Sequence, residues 1–202
     1  GLSAKRAVER LNGRYRDGSG DYIRRRDPRE DFGTNPCSEI ILRSREFCNL
    51  SEVVIRRNDT RESLKAKVKH ATILGTFQST LTEFKYLSRE WKRNCDEERL
   101  LGVSLTGIMD NPLTNGSKGK LDELLEELRD VAYETNKEWA EKLGIPTSAA
   151  ITCVKPSGTV SQLVDSASGI HARHNPYYIR TVRADNKDPL CKLMQEMGFP
   201  NE

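Results

Sequence analysis

Asn35-Pro36-Cys37-Ser38-Glu39-Ile40-Ile41-Leu42 sets an amide, a thiol and a carboxylate at alternate positions, just ahead of an apolar run. In extended backbone successive side chains point to opposite sides, so Asn35, Cys37 and Glu39 are expected to share one side. Pro36 agrees with this, because it disfavours a helical conformation for Asn35. A second thiol, Cys48 in Glu46-Phe47-Cys48-Asn49-Leu50, follows eleven positions on, within reach of a hairpin or loop. A solitary cysteine is usually a small apolar core residue. Packing does not explain why asparagine and glutamate alternate with it, since both are rarely buried without partners. The stretch therefore reads as a chemical site. A carboxylate beside a thiol raises the thiol's pKa, which argues against an ordinary thiolate nucleophile. No Cys-x-x-Cys occurs, and no metal ligand is assigned. From spacing alone the class of chemistry stays open.

Around this stretch the chain alternates strand-like and helix-like segments. Residues 3–12 fit a short helix, followed by a polar, basic segment to residue 29 that reads as a solvated loop. Residues 40–42 read as an apolar strand, and residues 51–57, with Val53, Val54 and Ile55, as a buried one. Asp59 with Glu62 fits a capping-box start to a long amphipathic helix from Leu64 through Phe84 to Leu87. Residues 100–105 form the next expected strand. A second long helix runs from Leu121 to Leu143 and ends at Gly144 and Pro146. Residues 149–154 are another strand, with Cys153 as a core residue, and 177–184 a last one before a helix opened by Asp188-Pro189. Strand–helix alternation of this kind indicates an α/β layered or barrel domain.

Pro156-Ser157-Gly158-Thr159-Val160-Ser161 is the second chemical feature, set between a strand and an apparent helix start. Glycine permits close backbone approach, while free amides and hydroxyls at a helix start attract phosphate. In isolation an ordinary capped helix start explains these residues better. His171 and His174 lack further ligands and read as exposed loop residues, and Cys95 and Cys191 receive no role.

A net charge of +3 with 31% charged residues demands no nucleic-acid partner. No apolar run is long enough to span a membrane, and no signal-peptide pattern opens the chain. Five cysteines without a disulfide-framework rhythm favour a reducing compartment, and a cytoplasmic location is expected.

Asn-Pro-Cys-x-Glu-Ile at residues 35–40, followed by Phe47-Cys48-Asn49-Leu50-Ser51-Glu52-Val53, resembles the active-site finger loop of ribonucleotide reductases. The resemblance continues through Leu101-Gly102-Val103-Ser104-Leu105-Thr106-Gly107, Lys155-Pro156-Ser157-Gly158-Thr159-Val160-Ser161 and Pro176-Tyr177-Tyr178-Ile179-Arg180. It is closest to the adenosylcobalamin-dependent (class II) branch, and within that to the monomeric ribonucleoside-triphosphate reductases. It implies an internal part of a catalytic α/β barrel, residues 1–202, with a central finger loop at about 33–48 and a phosphate-binding turn at 156–161. The N-terminal and C-terminal parts of the enzyme would lie outside it, and the segment alone would not turn over.

The same resemblance implies the roles. Cys37 is the thiyl radical that removes the 3′ hydrogen of the ribose, Glu39 the base at the 3′-hydroxyl, and Asn35 the residue that holds the sugar by amide hydrogen bonds. Cys48 is one of two reducing thiols. Its partner is expected upstream of this chain, so Cys37 and Cys48 are not expected to form the catalytic disulfide. Residues 156–161 receive the substrate's phosphate tail. Adenosylcobalamin, bound mostly by regions outside these residues, and a thioredoxin-like reductant are the implied cofactor and partner. Two other readings are a large subunit whose radical comes from a separate metalloprotein, and a non-catalytic phosphate- or nucleotide-binding module. The latter gives no reason for Glu39 beside Cys37.

Overall fold

The computed structural model describes Arg6, Val8 and residues 26–201. Apart from Arg6 and Val8, the expected helix at residues 3–12 and most of the basic segment after it lie outside the described residues.

Two short strands, β1 (Phe32–Thr34) and β2 (Ile41–Arg43), pair antiparallel as a hairpin with Thr34 opposite Ile41. Its base is held by charge. The Arg26 guanidinium, buried with its partners, lies 2.7 Å from Glu98 and 3.4 Å from Glu46, and Arg43 reaches the same two carboxylates. Burial, and then the charge of Glu98, push the Glu46 carboxyl up to about 8.

Beyond the hairpin the chain makes a parallel crossover. Strand β3 (Asn49–Val54) runs parallel to β4 (Leu101–Thr106), with Leu50 opposite Gly102 and Val54 opposite Thr106. Parallel neighbours need a long connection. It is supplied by helix α1 (Arg61–Gln78) and helix α2 (Arg89–Glu98). Helix α3 (Leu121–Leu143) follows β4, and the chain then returns along β4's other edge. There Leu101 and Val103 donate to the carbonyls of Ala150 and Ile151, and Cys153 donates to Val103. A short 3-10 turn (Ile108–Asp110) follows β4, and two short helices, α4 (Thr159–Leu163) and α5 (Pro189–Glu196), come last. Helices pack on one face of the sheet, where Val53, Ile55, Leu101, Val103 and Ile151 meet Leu64, Val68 and Ala71 of α1 and Leu124, Leu128 and Ala132 of α3. The three-and-four spacing along each helix is what directs these side chains to one side. The architecture is α/β.

Several expectations change. Residues 35–39 form a tight turn and not an extended run: Ser38 N donates to Asn35 O at 2.9 Å, and Ser38 takes a left-handed φ of +63°. Helix α1 is capped by Thr60 and Ser63, each bonding the other's backbone amide, and it stops at Gln78 instead of running to Leu87. Ser79 and Thr80 turn their hydroxyls back onto the carbonyls of Thr76 and Phe77 at 2.7 Å, which competes with continuing the helix. Residues 89–98 are helical although nearly every side chain there is polar. The strand at 149–154 reduces to a parallel bridge between Val103 and Thr152, and the one at 177–184 does not form. Tyr177 and Ile179 there are exposed, with no paired strand beside them among the described residues.

Candidate functional site

Asn35, Cys37 and Glu39 share the tip of the β1–β2 hairpin. The Asn35 side-chain carbonyl accepts from Ile40 N at 3.0 Å, and its backbone N–H donates to Ile40 O at 3.2 Å. This side chain therefore closes the turn, its Nδ2 making no hydrogen bond among the described residues. Cys37 is exposed at the apex. Glu39 is half-buried, and its Oε2 is a buried oxygen without a hydrogen-bond partner among the described residues. That oxygen is left able to accept a hydrogen bond from a group brought to the hairpin tip.

Cys48 lies immediately before β3, and the register of β3 with β4 brings it to Gly102. A Cβ on Gly102 would stand 3.3 Å from the Cys48 sulfur, 3.3 Å from the Cys153 sulfur and 2.4 Å from Leu50 Cδ2. No side chain fits there. Burial, the neighbouring Cys153 and the charge of Glu39 push the Cys48 thiol up to about 12, against the opposing pull of Lys155. Burial and Glu39 likewise push Cys153 up to about 11. Glu39, Cys48, Cys153 and Lys155 thus form one electrostatic cluster at Gly102. Both thiols are held protonated at neutral pH.

The sequence reading missed Cys153 as a member of this cluster. Its only signal was position, two residues before the Lys155-Pro156-Ser157-Gly158 motif, and a half-buried strand cysteine looks like any core residue.

Lys155 leads from this cluster into the Pro156–Ser161 turn. Ser157 is buried, its hydroxyl lacking a partner among the described residues. A Cβ on Gly158 would meet nothing within 4 Å, so the backbone of the turn is open to an approaching group. Thr159, Val160 and Ser161 are the first residues of α4, whose leading N–H groups have no partner within the helix. The Ser161 hydroxyl donates to Ser157 O at 3.1 Å and Gly158 O at 2.8 Å, tightening the turn from inside.

Residues 165–173 brace the turn from outside. Ser168 Oγ donates to Ser157 O, and Ser166 N to Ser161 O at 2.9 Å. The same loop is tied to the end of β4: Thr106 Oγ1 donates to Ala167 O and accepts from Gly169 N, while Asp110 accepts from Ala167 N at 2.8 Å. Arg173 closes the loop by bridging Asp110 and Asp165. His171 and His174 are exposed, and His174 rests against the ring of Tyr178. No cluster of three or more potential metal ligands occurs among the described residues. Nor is any helix there long and apolar enough to cross a membrane.

Exposed thiol, orphaned carboxylate, protonated thiol and open glycine turn define a class: α/β proteins in which a cluster of thiols and a carboxylate lies beside an open glycine turn at a helix start. Comparison with known proteins makes the likeness specific: the chain is similar to ribonucleotide reductases. It is 32% identical over 198 residues to the adenosylcobalamin-dependent ribonucleoside-triphosphate reductase of Euglena gracilis, covering 98% of this chain and 25% of that one. The enzyme of the same name from Lactobacillus acidophilus is 30% identical over 195 residues, covering 84% of this chain and 26% of that one. The chain spans about a quarter of the length of the curated relatives it matches. In fold it resembles the crystal structure of a B12-dependent (class II) ribonucleotide reductase, with a TM-score of 0.56 at 21% identity, over 79% of this chain and 25% of that one. No protein-family model matches.

Proposed function

We propose that this segment carries the radical thiol and the phosphate turn of an adenosylcobalamin-dependent ribonucleotide reductase acting on ribonucleoside triphosphates. In this reading the described α/β layer is part of a barrel, and the β1–β2 hairpin is its finger loop. The observation that carries the reading is the pairing of Glu39, with its unpartnered buried oxygen, with a Cys48 thiol held protonated beside it.

Replacing a 2′-hydroxyl by hydrogen is slow by polar chemistry, because hydroxide leaves poorly from an unactivated carbon. A radical at the 3′ carbon makes that departure accessible. When bound, the cofactor supplies the oxidising equivalent that removes a hydrogen atom from a thiol. Cys37 fits as that thiol, being exposed at a hairpin apex. As a thiyl it takes the 3′ hydrogen, forming S–H as C–H breaks. The Glu39 carboxylate takes the 3′-hydroxyl proton, a role that needs hydrogen-bond reach to that group. The 2′-oxygen leaves as water, with its proton from a neutral thiol. Cys48 suits this step because it is protonated at neutral pH. Cys48 and a second thiol supply two electrons and end as a disulfide, and Cys37 returns its hydrogen to the 3′ carbon. Asn35 offers its amide N–H groups to the sugar, while Ser157 to Ser161 receive the phosphate tail. A thioredoxin-like dithiol would restore the thiols.

A large subunit served by a separate metalloprotein uses a similar loop, but the relatives matched here are adenosylcobalamin-dependent. The experiment is Cys37→Ser in the full-length protein, assayed with adenosylcobalamin, ribonucleoside triphosphate and a dithiol. Loss of deoxynucleotide formation together with loss of the cobalt-coupled thiyl signal is expected. Product formation retained by the variant would overturn the assignment.

A further inference from the structure

The reaction above gives Cys153 no task, although its sulfur and that of Cys48 stand at the same 3.3 Å from one point over Gly102. The two sulfurs therefore lie within twice that distance of each other. They arrive from opposite edges of β4: Cys48 leads into β3 on one side, and Cys153 donates to Val103 O on the other. Normally the side chain of the middle strand would stand between them. At Gly102 there is none, and Leu50 bars any replacement, its Cδ2 being 2.4 Å from where a Cβ would be. Cys95 is buried elsewhere, against the hairpin, and Cys191 sits on α5.

We infer that Cys48 and Cys153 constitute a dithiol–disulfide couple across Gly102, oxidised by exchange with a low-molecular-weight disulfide. Cys153, as thiolate, attacks one sulfur of the small disulfide, and one small thiolate leaves, giving a mixed disulfide. Cys48, as thiolate, then attacks the Cys153 sulfur; the Cys48–Cys153 bond forms and the second small thiolate leaves. Each departing thiolate takes up a proton lost by one protein thiol. Two protein thiols are oxidised and one disulfide is reduced to two thiols, and a dithiol reverses the sequence. Closing the bond to roughly 2.0 Å requires a shift of a few ångströms along the gap that Gly102 leaves open. Both thiols are held protonated, so the couple is slow at neutral pH and quickens with rising pH as the thiolate fraction grows. If Cys48 is the reducing thiol, as the proposed function has it, closing this bond stops turnover reversibly.

The test uses the full-length protein incubated with oxidised glutathione at mildly alkaline pH, quenched in acid, alkylated and mapped by mass spectrometry. The expected result is a peptide pair linking Cys48 to Cys153, abolished in Cys153→Ser and restored to free thiols by a dithiol. Two results overturn the inference: both cysteines remaining alkylatable in the wild type, or Cys48 linking only to a third cysteine. Turnover measured on the reduced protein, before oxidation, separates the two readings. Cys37-dependent turnover in the reduced protein with no link after oxidation sinks this inference alone, and a link that forms in a protein showing no turnover even when fully reduced sinks the proposed function alone.

Discussion

Arg173 grips Asp110 through two nitrogens, Nε at 3.0 Å to one carboxylate oxygen and Nη2 at 3.2 Å to the other. That geometry is the two-point fork that gives arginine–carboxylate pairs their orientation. It ties the loop bracing the Ser157–Ser161 turn to the end of β4. On the proposed function, Arg173→Ala in the full-length protein is expected to raise the nucleotide KM several-fold while changing kcat less. Because the arginine is half exposed, stability should change little. Steady-state kinetics beside a thermal melt checks both halves.

Gly102→Ala puts a methyl group against Leu50 and two sulfurs at once. Overpacking of this kind costs on the order of 1–3 kcal/mol. A lowered urea midpoint with an unchanged slope is the expected reading, and an unchanged midpoint would mean that the strands are spaced more widely than described.

Glu46 gives a pH prediction. Its carboxyl is pushed up from 4.5 to about 8, so the folded chain holds this proton more tightly than the unfolded chain does. The contribution is complete below the ordinary value and fades as pH rises through about 8. Glu46→Gln keeps an acceptor for Arg43 N and removes the titration. Relative to wild type, the variant should therefore gain stability between pH 4.5 and 8, measured as the difference of two denaturation series.

Cys48 is expected to alkylate slowly at neutral pH, with a rate still climbing tenfold per unit at pH 9, because its thiol is pushed up to about 12. Glu39→Gln removes one of the causes and leaves burial and Cys153 in place. A modest acceleration follows, not a return to ordinary thiol behaviour. An early plateau in the wild-type profile would contradict the burial described for this thiol.

The two long helices and the two paired strands β3 and β4 were legible because apolar residues recur at threes and fours along α1 and α3 and cluster in β3 and β4. Glycine at 144 ended α3 as its left-handed φ requires. What escaped the sequence was of two kinds. Local hydrogen bonding decided the tip, where Ser38 adopts a left-handed conformation and Asn35 bonds its own turn; alternation of side chains carries no information about either. Helix α2 escaped because its buried residues include Asn94 and Glu98, whose burial depends on partners far along the chain. The meeting of Cys48 with Cys153 belongs to strand register, a long-range property that neither stretch states alone.

Asn35 has one further consequence. With one lone pair of its carbonyl oxygen engaged by Ile40 and both amide hydrogens left over, the side chain favours a visitor that brings lone pairs. An aspartate at this position would still fasten the bend through an oxygen, yet would greet the same visitor with negative charge. The residue that shapes the tip thus also screens what approaches it.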